Sequence, residues 1–425
     1  MAVRQDARVA HSRGSRDNLI PCHDTAVIRG IPFDNVVSSA HALRVAILCD
    51  MREEGWASMD LVADMLLAEL DASNPPDIRV EEVRPEMRAR IGNPVSGGWR
   101  FSIDRALARF VEYPLAVRPV LGRTDVFHVV DHSYGHLAHH LPSGRIVMSC
   151  HDLDAFRPVI EPHLAPRPWP FRAMARRALT GLQRASEVHC ISEAVREEIA
   201  KHRLVLPERL HVTMLGVHPT ARAEPDATAD AWATSILGAK TAGSFELLHV
   251  GSTIPRKRVD VLLRAFAEFS RVRPGARLVR AGGAMTLEQQ ELARSLGIHD
   301  SITILPFLSR EALAAVYRRA DVVLQPSESE GFGLPVAEAL ACGTPVVASD
   351  IPVLREAGGD AALYAQVGAT ADWCQRVIDI IDERVHRPEA SARRRERGMR
   401  HAALFSWPNY AASMADAYRR VGGRA

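Results

Sequence analysis

Two glutamates enclose a glycine-rich turn in the second half of the sequence. Glu330 and Glu338 stand eight positions apart, with Gly331, Gly333 and Pro335 between them. A predicted strand leads into this stretch and a predicted helix leads out of it, so free backbone N–H groups at the helix N-terminus could bind phosphate. Ionised carboxylates only accept hydrogen bonds, and they therefore suit hydroxyl groups instead. The pattern predicts a ligand that is part phosphate and part polyol, as a nucleotide sugar is.

A second strand-to-helix turn carries positive charge. The segment Gly251–Arg258 follows the predicted strand Phe245–Val250 and contains Arg256 and Lys257. Arginine offers a planar fork of donors and lysine a compact charge, so both could hold a diphosphate beside a helix N-terminus. They could also stabilise the charge that develops on a departing phosphate. A basic solvated loop would be the better interpretation if this turn stood alone.

Histidines cluster in the first half of the sequence. His132, His136 and His140 are spaced by four and could share a helix face that binds zinc. No glutamate stands between them as it does in zinc-protease motifs, and Gly135 weakens the start of a helix. A polar loop and helix at the edge of a cleft is therefore favoured, and there His132 or Tyr134 would contact an acceptor.

One further histidine ends a predicted strand. His151 follows the apolar run that begins at Arg145, and a side chain at the carboxyl end of a strand would face the cleft. A histidine satisfied by local backbone is the alternative. The first strand-to-helix turn, residues 51–58, contains Trp56, which we expect on the acceptor side. That turn has no GxGxxG, which argues against a nicotinamide-dependent enzyme.

Strands alternate with helices along most of the chain. Short apolar runs rich in β-branched residues predict buried strands, and the alternation predicts parallel sheets covered on both faces. We expect an α/β protein with two doubly wound, Rossmann-like domains that face each other across a cleft. The predicted strands are Arg44–Asp50, Ile78–Val83, Asp125–Asp131, Arg145–Asp152 and Ser186–Ser192, then Phe245–Val250, Ala276–Ala281, Ser301–Phe307, Asp321–Pro326, Thr344–Ser349 and Ala361–Tyr364.

The domain boundaries follow from changes in pattern along the chain. Residues 1–40 lack periodicity and are predicted to be a mobile or loosely packed N-terminal extension. Residues 41–218 form the predicted acceptor domain, and the Ala-, Asp- and Thr-rich range 219–243 the linker. Residues 244–405 form the predicted donor domain. The segment 406–425 is predicted to be a helix that crosses back to the first domain.

Composition narrows the function classes. The 425 residues include 53 Lys+Arg and 51 Asp+Glu, and a net charge of +2 argues against a general nucleic-acid binder. The six cysteines are dispersed and form no CxxC pair, which favours free thiols in a reducing cytosol. No apolar run approaches the ~18 residues of a transmembrane helix. Basic and aromatic segments near Trp99 and Trp169 could lie on an anionic membrane surface, although ordinary amphipathic helices are slightly favoured.

The chain resembles the retaining GT-B glycosyltransferases, in particular the glycosyltransferase group 1 (GT4) family. The resemblance runs from about Arg44 to the C-terminal helix and is strongest over Phe245–Tyr364. Four segments carry it: Glu330–Glu338 resembles the E-x7-E motif of the family, Val250–Lys257 its phosphate loop, Ser149–Leu153 its HDL segment and Ile191–Arg196 its SEAV-R segment.

The resemblance implies roles for the donor side. Glu338 would accept hydrogen bonds from the ribose, Glu330 and His151 would contact the donor sugar, and Lys257 would hold the diphosphate. Many members carry arginine where this chain has Ser252, and Arg256 would compensate. The other implied donor-binding residues are Gly251, Phe307, Leu308, Phe332, Gly333 and Leu334.

The resemblance also implies the reaction. A sugar would move from a nucleotide sugar to an acceptor hydroxyl of a glycan or lipid-linked molecule, with retained anomeric configuration and no metal or other cofactor, because no DxD motif is evident. We expect a cytoplasmic protein, with peripheral contact at the inner face of the membrane. The alternatives are a GT-B epimerase or hydrolase of the nucleotide sugar, and a catalytically inactive nucleotide-sugar-binding protein.

Overall fold

The computed structural model describes residues 42–88, 90, 98–241 and 243–423. The predicted N-terminal extension, residues 1–40, lies outside the described residues. Two six-stranded sheets account for the strands of the described chain, and every pair of neighbouring strands is parallel. The predicted pair of parallel α/β sheets is therefore confirmed.

The first sheet uses the strands of the first half of the chain. Apolar runs such as the one ending at Leu48 are buried on both sides, which is typical of a parallel sheet covered by helices. One short strand, Leu210–Val212, was not predicted, because three residues give no readable period. In chain order the strands are β1 Leu43–Leu48, β2 Ile78–Val83, β3 Val126–Val129, β4 Ile146–Cys150, β5 Glu187–Cys190 and β6 Leu210–Val212.

Helices connect these strands. Between β2 and β3, a π-helical segment, Ala108–Glu112, joins two α-helices. After β3, a 3-10 helical series occupies His132–His139. Asp131 caps this series by accepting a hydrogen bond from the backbone N–H of Ser133. The helices are α1 Ala57–Ser73, α2 Gly98–Leu107, α3 Tyr113–Val117, α4 Arg157–Ile160, α5 Trp169–Leu182 and α6 Glu193–Lys201.

The segment predicted as a linker, 219–243, needs a correction because it contains a helix, α7 Ala227–Leu237. Asp226 caps it by accepting from the backbone N–H of Ala229. Ala229, Ala233 and Leu237 recur every four residues and are buried in the core of the second sheet. Small residues at this spacing gave too weak an apolar stripe to be recognised from the sequence.

The second sheet repeats the alternation. Its strands are β7 Glu246–Val250, β8 Arg277–Ala281, β9 Ile302–Leu305, β10 Val322–Gln325, β11 Val346–Ser349 and β12 Leu363–Ala365. Its helices are α8 Val259–Val272, α9 Leu287–Ser295, α10 Arg310–Arg319, α11 Leu334–Ala341, α12 Pro352–Gly358, α13 Thr370–His386 and α14 Pro388–Ala402.

The last helix, α15 Trp407–Gly422, returns to the first sheet. Trp407, Tyr410, Met414 and Tyr418 are buried against β1 and α1. The Tyr418 hydroxyl lies 2.8 Å from Nδ1 of His128 on β3. The last helix thus ties the second half of the chain back to the first.

The strand orders fix where a ligand can bind. They are β2-β1-β3-β4-β5-β6 and β12-β11-β10-β7-β8-β9. Successive strands are added first to one side and then to the other side of the sheet, and this order switches between β1 and β3 in one sheet and between β7 and β10 in the other. Ligands bind at such switch points, beyond the carboxyl ends of the strands. The loops after β7 and β10 are the two sequence motifs with cations and glutamates.

Candidate active site

The carboxylate of Glu330 is the centre of the turn between β10 and α11. Its Oε1 accepts hydrogen bonds from Lys257 Nζ at 2.5 Å, from Ser327 Oγ at 2.7 Å and from Gln325 Nε2 at 2.7 Å. Arg256 Nη1 lies 3.4 Å from Oε2. Burial alone would raise the pKa of Glu330, but the charges of Lys257 and Arg256 outweigh it and hold the pKa below its ordinary value. Glu330 is therefore ionised at neutral pH.

The turn reaches α11 through Gly333. This residue has φ 94°, in the left-handed region that favours glycine, and a Cβ there would lie 2.8 Å from Leu354 Cδ2. The predicted helix from Pro335 begins one residue earlier, at Leu334, with Pro335 in its first turn. Pro335 has no N–H, and the N–H groups of Val336 and Ala337 donate to the Gly333 carbonyl, so the amides that this helix start can offer a ligand are those of Gly333 and Leu334.

Glu338 lies within α11 and is buried. Tyr317 on α10 donates to its Oε2 at 2.9 Å. Burial raises the pKa of Glu338 above its ordinary value, although Arg310 and the Tyr317 hydroxyl act in the opposite direction. The ribose contact of Glu338 stays a prediction. The contact between Tyr317 and Glu338 was not predicted, because the position of Tyr317 on an amphipathic helix does not indicate which residue it meets.

Arg256 bridges the two halves. Its Nε lies 2.9 Å from Asp154 Oδ2 and its Nη2 lies 3.7 Å from Asp152 Oδ2, both in the loop after β4. Its Nη1 also donates to the carbonyl of Ser329 at 2.9 Å. The guanidinium is thus shared between carboxylates of the first half and the Glu330 turn of the second.

The halves also touch through backbone. A Cβ on Gly331 would lie 1.9 Å from the carbonyl oxygen of His151, and Ser192 Oγ donates to the Gly331 carbonyl at 2.7 Å. Glu356 on α12 accepts hydrogen bonds from the backbone N–H groups of Glu193 and Ala194 at 2.8 and 2.7 Å. These N–H groups stand in the first turn of α6, where the helix itself supplies no acceptor. The structure therefore brings Arg256 and Lys257 to Glu330, and the His151 backbone to the neighbouring Gly331.

His151 itself is buried. Its Nε2 lies 2.7 Å from the carbonyl of Val130, whereas its Nδ1 has no hydrogen-bond partner in the described chain. Burial lowers the pKa of His151, against the opposing charge of Asp131. His132 packs beside it, with ring centroids 6.2 Å apart. Sugar contact by His151 stays a prediction.

The acceptor-side residues differ in exposure. Trp56 is 48% exposed, and its Nε1 donates to Glu54 at 3.1 Å. Tyr134 is buried, and its hydroxyl donates to Glu54 at 2.9 Å and accepts from the backbone N–H of Met51 at 3.3 Å. Arg109 covers the Tyr134 ring at 4.1 Å from its centroid. The hydroxyl and the ring of Tyr134 therefore both have partners within the protein. Its contact with an acceptor substrate stays a prediction.

Carboxylates are unusually dense at the switch point of the first sheet. Asp50 follows β1 and Asp131 follows β3, and both are buried. Burial and the neighbouring Asp131 raise the pKa of Asp50 well above its ordinary range. His132, with Nδ1 3.2 Å from Asp131 and Nε2 3.5 Å from Asp152, has a raised pKa despite its burial.

The predicted zinc alternative does not fit the structure. Nε2 of His136 lies 2.6 Å from the Arg109 carbonyl, and His140 lies near Arg177. His132 is directed to the aspartates on either side of it. Within the ranges that the structure describes, no three His, Cys, Asp or Glu side chains lie close enough to hold a metal ion.

The remaining predicted donor residues range from exposed to buried. Ser252 is exposed and Gly251 is half-buried. Phe307 is 82% exposed at the end of β9, next to the half-buried Leu308. Phe332, in contrast, is buried with its ring 5.1 Å from that of Phe405, so only its backbone can reach a ligand. Leu334 packs against the same apolar cluster.

Two polar residues of the site were missed by sequence reasoning. Gln325 and Ser327 both hold Oε1 of Glu330. They stand at the carboxyl end of β10, where polar residues after an apolar strand are a recognisable signal. Asp154 and Glu356 carried no such signal, because their partners lie in the other half of the chain.

Comparisons with known proteins identify relatives of both halves of the chain. The family model described as Glycosyl transferases group 1 matches residues 238–400, and the model Glycosyltransferase Family 4 matches residues 66–221. A D-inositol 3-phosphate glycosyltransferase of Rhodococcus erythropolis is 40% identical over 189 residues, covering 42% of this chain and 42% of the relative. One of Rhodococcus opacus is 34% identical over 233 residues, covering 52% and 50%. The matches thus span about half of these curated relatives or less.

Solved structures match over more of the chain. Sucrose-phosphate synthase from Thermosynechococcus elongatus has a TM-score of 0.69 at 20% identity, covering 90% of this chain and 100% of that one. Anabaena HepE in complex with UDP and glucose has a TM-score of 0.65 at 17% identity, covering 88% and 99%. At these identities the likeness concerns the fold, and it includes both sheets.

Proposed function

The chain belongs to the group 1 (GT4) glycosyltransferase family and has its GT-B fold, and we propose that it moves a sugar from a nucleotide-sugar donor to an acceptor hydroxyl with retained anomeric configuration. The observation that carries the proposal is the buried, ionised Glu330, held by Lys257, Ser327 and Gln325 where the two halves meet. Such a carboxylate beside a cation and a helix N-terminus suits a ligand with hydroxyl groups next to phosphate.

The donor would lie between the two strand-to-helix turns of the second half. An ammonium group has three N–H donors, so Lys257 can keep Glu330 and still bind the diphosphate. The amides that open α11 would add donors for the sugar or phosphate. Glu338, deeper in α11, would accept from the ribose. We propose that Lys257 and Arg256 neutralise the leaving diphosphate, and that no metal ion is needed for this step.

The proposed reaction takes place on one face of the sugar. The bond from the anomeric carbon to the diphosphate oxygen breaks, and the bond to the acceptor oxygen forms on the same face. The acceptor proton passes to the leaving phosphate oxygen, whose charge Lys257 and the α11 amides stabilise. His151 and Gly331 meet across the cleft, and this contact would exclude water and so limit hydrolysis of the donor.

The acceptor is a hydroxyl compound in glycan, polysaccharide or glycolipid synthesis. The curated relatives are named for D-inositol 3-phosphate, and this makes a phosphorylated cyclitol one acceptor to test. It would enter beside Trp56 and the aspartates that follow β1 and β3.

A lipid-linked acceptor is supported by a separate surface. Residues 162–186 contain five arginines and no acidic residue. At the start of α5 they expose Trp169 to 78%, with Leu164 and Phe171 also exposed nearby. Arginines beside exposed aromatic and aliphatic groups suit an anionic membrane surface. No helix of the described residues is long and apolar enough to cross a membrane.

The decisive experiment is a donor screen followed by product analysis. Thermal shifts with UDP-, GDP- and ADP-sugars identify the donor, and mass spectrometry and anomeric coupling constants then identify the product with inositol phosphate, glycan and lipid-linked acceptors. We expect a glycoside of retained configuration, lost in Glu330→Gln. Sugar nucleotide conversion without any acceptor would favour the epimerase or hydrolase. Tight donor binding without turnover on any acceptor would identify a binding protein.

A further inference from the structure

A fully buried arginine lies beneath the phosphate turn. Arg280, on β8, is 0% exposed and stands opposite His249 in the register of β7 and β8. Its Nη2 donates to the carbonyl of Gly251 at 2.7 Å and its Nη1 to that of Gly283 at 2.9 Å. Its Nε has no partner among the described residues. One guanidinium therefore links the two glycine turns that follow β7 and β8.

This guanidinium has no carboxylate partner in the part of the chain that the structure describes. Other poorly exposed arginines do have one, since Arg84 pairs with Asp60, Arg109 with Glu54 and Arg319 with Glu246. Burial lowers the pKa of Arg280 to about 10, so it remains charged at neutral pH. A buried charge without a counter-ion is costly for a protein to keep, which points to a role outside folding.

The two turns meet closely above Arg280. Gly282 has φ 119°, and a Cβ there would lie 2.4 Å from the Gly251 carbonyl oxygen. Because a trans peptide unit is planar, a Gly251 carbonyl that points to Arg280 turns the N–H of Ser252 to the opposite, exposed side. Arg280 thus fixes the direction of a backbone donor in the phosphate turn.

The neighbouring cations Arg256 and Lys257, unlike Arg280, already have carboxylate partners among the described residues. Ser252, in the turn itself, is uncharged. Arg256 is already shared among Asp154, Asp152 and Glu330. Lys257 is paired with Glu330, and desolvation together with the charges of Arg280 and Lys257 holds the pKa of the buried His249 well below its ordinary value.

We propose that Arg280 is a positioning residue for the donor diphosphate: from beneath the turn it supplies the positive charge that Ser252 lacks, and it aims the Ser252 amide at the second phosphate. This inference rests on the proposed function. The charge acts through the Gly251 peptide rather than by direct contact, and the diphosphate would be its counter-ion. The occupant implied is a nucleoside diphosphate, with less advantage for a monophosphate.

The test compares diphosphates with monophosphates. Calorimetric titrations use UDP, GDP and ADP and the matching monophosphates, with Arg280→Gln, which keeps N–H donors but no charge, and Arg280→Lys, which keeps a charge. We expect Arg280→Gln to weaken the diphosphate about 30-fold and the monophosphate less than about 3-fold, with Arg280→Lys in between. Arg277→Met, on the same strand but paired with Glu246, is the matched control and should change neither.

Equal losses for both nucleotides, or no loss for the diphosphate, would overturn the proposal. If Arg280→Gln does not fold, Ser252→Arg decides in its place. An added loop arginine should improve diphosphate affinity less than about 3-fold if Arg280 already supplies the charge, and a gain of about 30-fold would contradict it. Neither titration involves transfer, so a protein that keeps this dependence but makes no glycoside would overturn the proposed function alone.

Discussion

The two sides of the cleft use charge in different ways. On the donor side, Lys257 and Glu330 come from neighbouring turns and meet each other at 2.5 Å with donors to spare. On the acceptor side, Arg109 is held at both ends by Glu54, at 2.6 and 2.5 Å, and its guanidinium also covers the Tyr134 ring. Lys257 therefore has N–H donors left for a ligand, whereas Arg109 is fully occupied by contacts within the protein.

Charged residues with donors left for a ligand are better candidates for function than charged residues whose donors are all paired. Glu54 and Arg109 stand 55 residues apart in sequence, and Tyr134 stands a further 25 residues on, yet they form one buried network. A network that satisfies every charge stabilises a fold, and breaking it leaves a buried charge without a partner. We therefore expect donor-side changes to reduce activity and acceptor-side changes to reduce stability.

The largest effect should come from Lys257→Ala. The leaving diphosphate loses its main cation, and we expect kcat/KM for transfer to fall about 1000-fold. Folding should persist, because Glu330 keeps Ser327, Gln325 and Arg256. Steady-state kinetics with the identified donor measure the first effect, and circular dichroism the second.

Lys240→Ala is the matched control for this change. Lys240 Nζ lies 2.6 Å from Asp321, at the opposite end of β10 from the cleft. Its removal should alter kcat/KM less than about 3-fold, as expected for a partly exposed ion pair. A folded Lys257→Ala protein with full activity would show that transfer does not need Lys257, and the proposed contrast between the two sides would fail.

The donor side was also the more predictable from sequence. Its motifs are contiguous, and a glycine turn between an apolar strand and a helix has one geometry, so Glu330, Lys257 and Gly333 were found together. The acceptor-side partners Glu54 and Arg109 were not, because nothing local in the sequence relates residues that only the sheet order brings together. The short β6 and the Ala-rich α7 were missed for lack of a strong apolar period.

A large loss of stability is expected from Glu54→Gln. The change leaves Arg109 buried without a carboxylate, and we expect the free energy of unfolding of the first half to drop by about 3 kcal/mol. Urea unfolding measures it. Affinity for the nucleoside diphosphate should stay unchanged, because no donor-side residue contacts Glu54.

An exposed pair provides the comparison. Glu389 lies 3.5 Å from Arg393 on the surface of α14, and Glu389→Gln should cost less than about 1 kcal/mol. If Glu54→Gln were as mild while transfer to acceptors collapsed, Glu54 would belong to the acceptor site, and the contrast between the two sides would fail.

Gly331→Ala tests the contact that joins the two sides. The φ of Gly331 is not in the left-handed region, so only the 1.9 Å approach of a Cβ to the His151 carbonyl opposes the side chain. We expect the cleft to close less completely and kcat/KM to fall about 30-fold, equivalent to about 2 kcal/mol. Gly122→Ala adds the same methyl group where nothing lies within 4 Å and should leave kcat/KM unchanged. Equal activity of the two variants would show that transfer does not need this contact.

The smallest effect concerns acid stability where α15 returns to the first sheet. Burial alone would raise the pKa of Glu187, but hydrogen bonds from His189 and Arg420 lower it to about 2. A lowered carboxyl pKa gives stability that is complete above about pH 4.5 and is lost as the pH falls toward 2. Arg420 is 40% exposed, so screening limits the contribution to about 1–2 kcal/mol.

Unfolding measured between pH 5 and pH 2.5 should therefore show Arg420→Met losing less stability with acid than the unaltered protein. His189 and His211, the other titratable neighbours of Glu187, lie 3.4 and 3.6 Å from its Oε2. Both also lower the pKa of Glu187, His189 by a hydrogen bond and His211 by its charge. An unchanged acid dependence in Arg420→Met would assign the lowered pKa to the histidines. The lowered pKa of Glu187 would then depend on the strands of the first half, which carry His189 and His211, and not on α15, which carries Arg420.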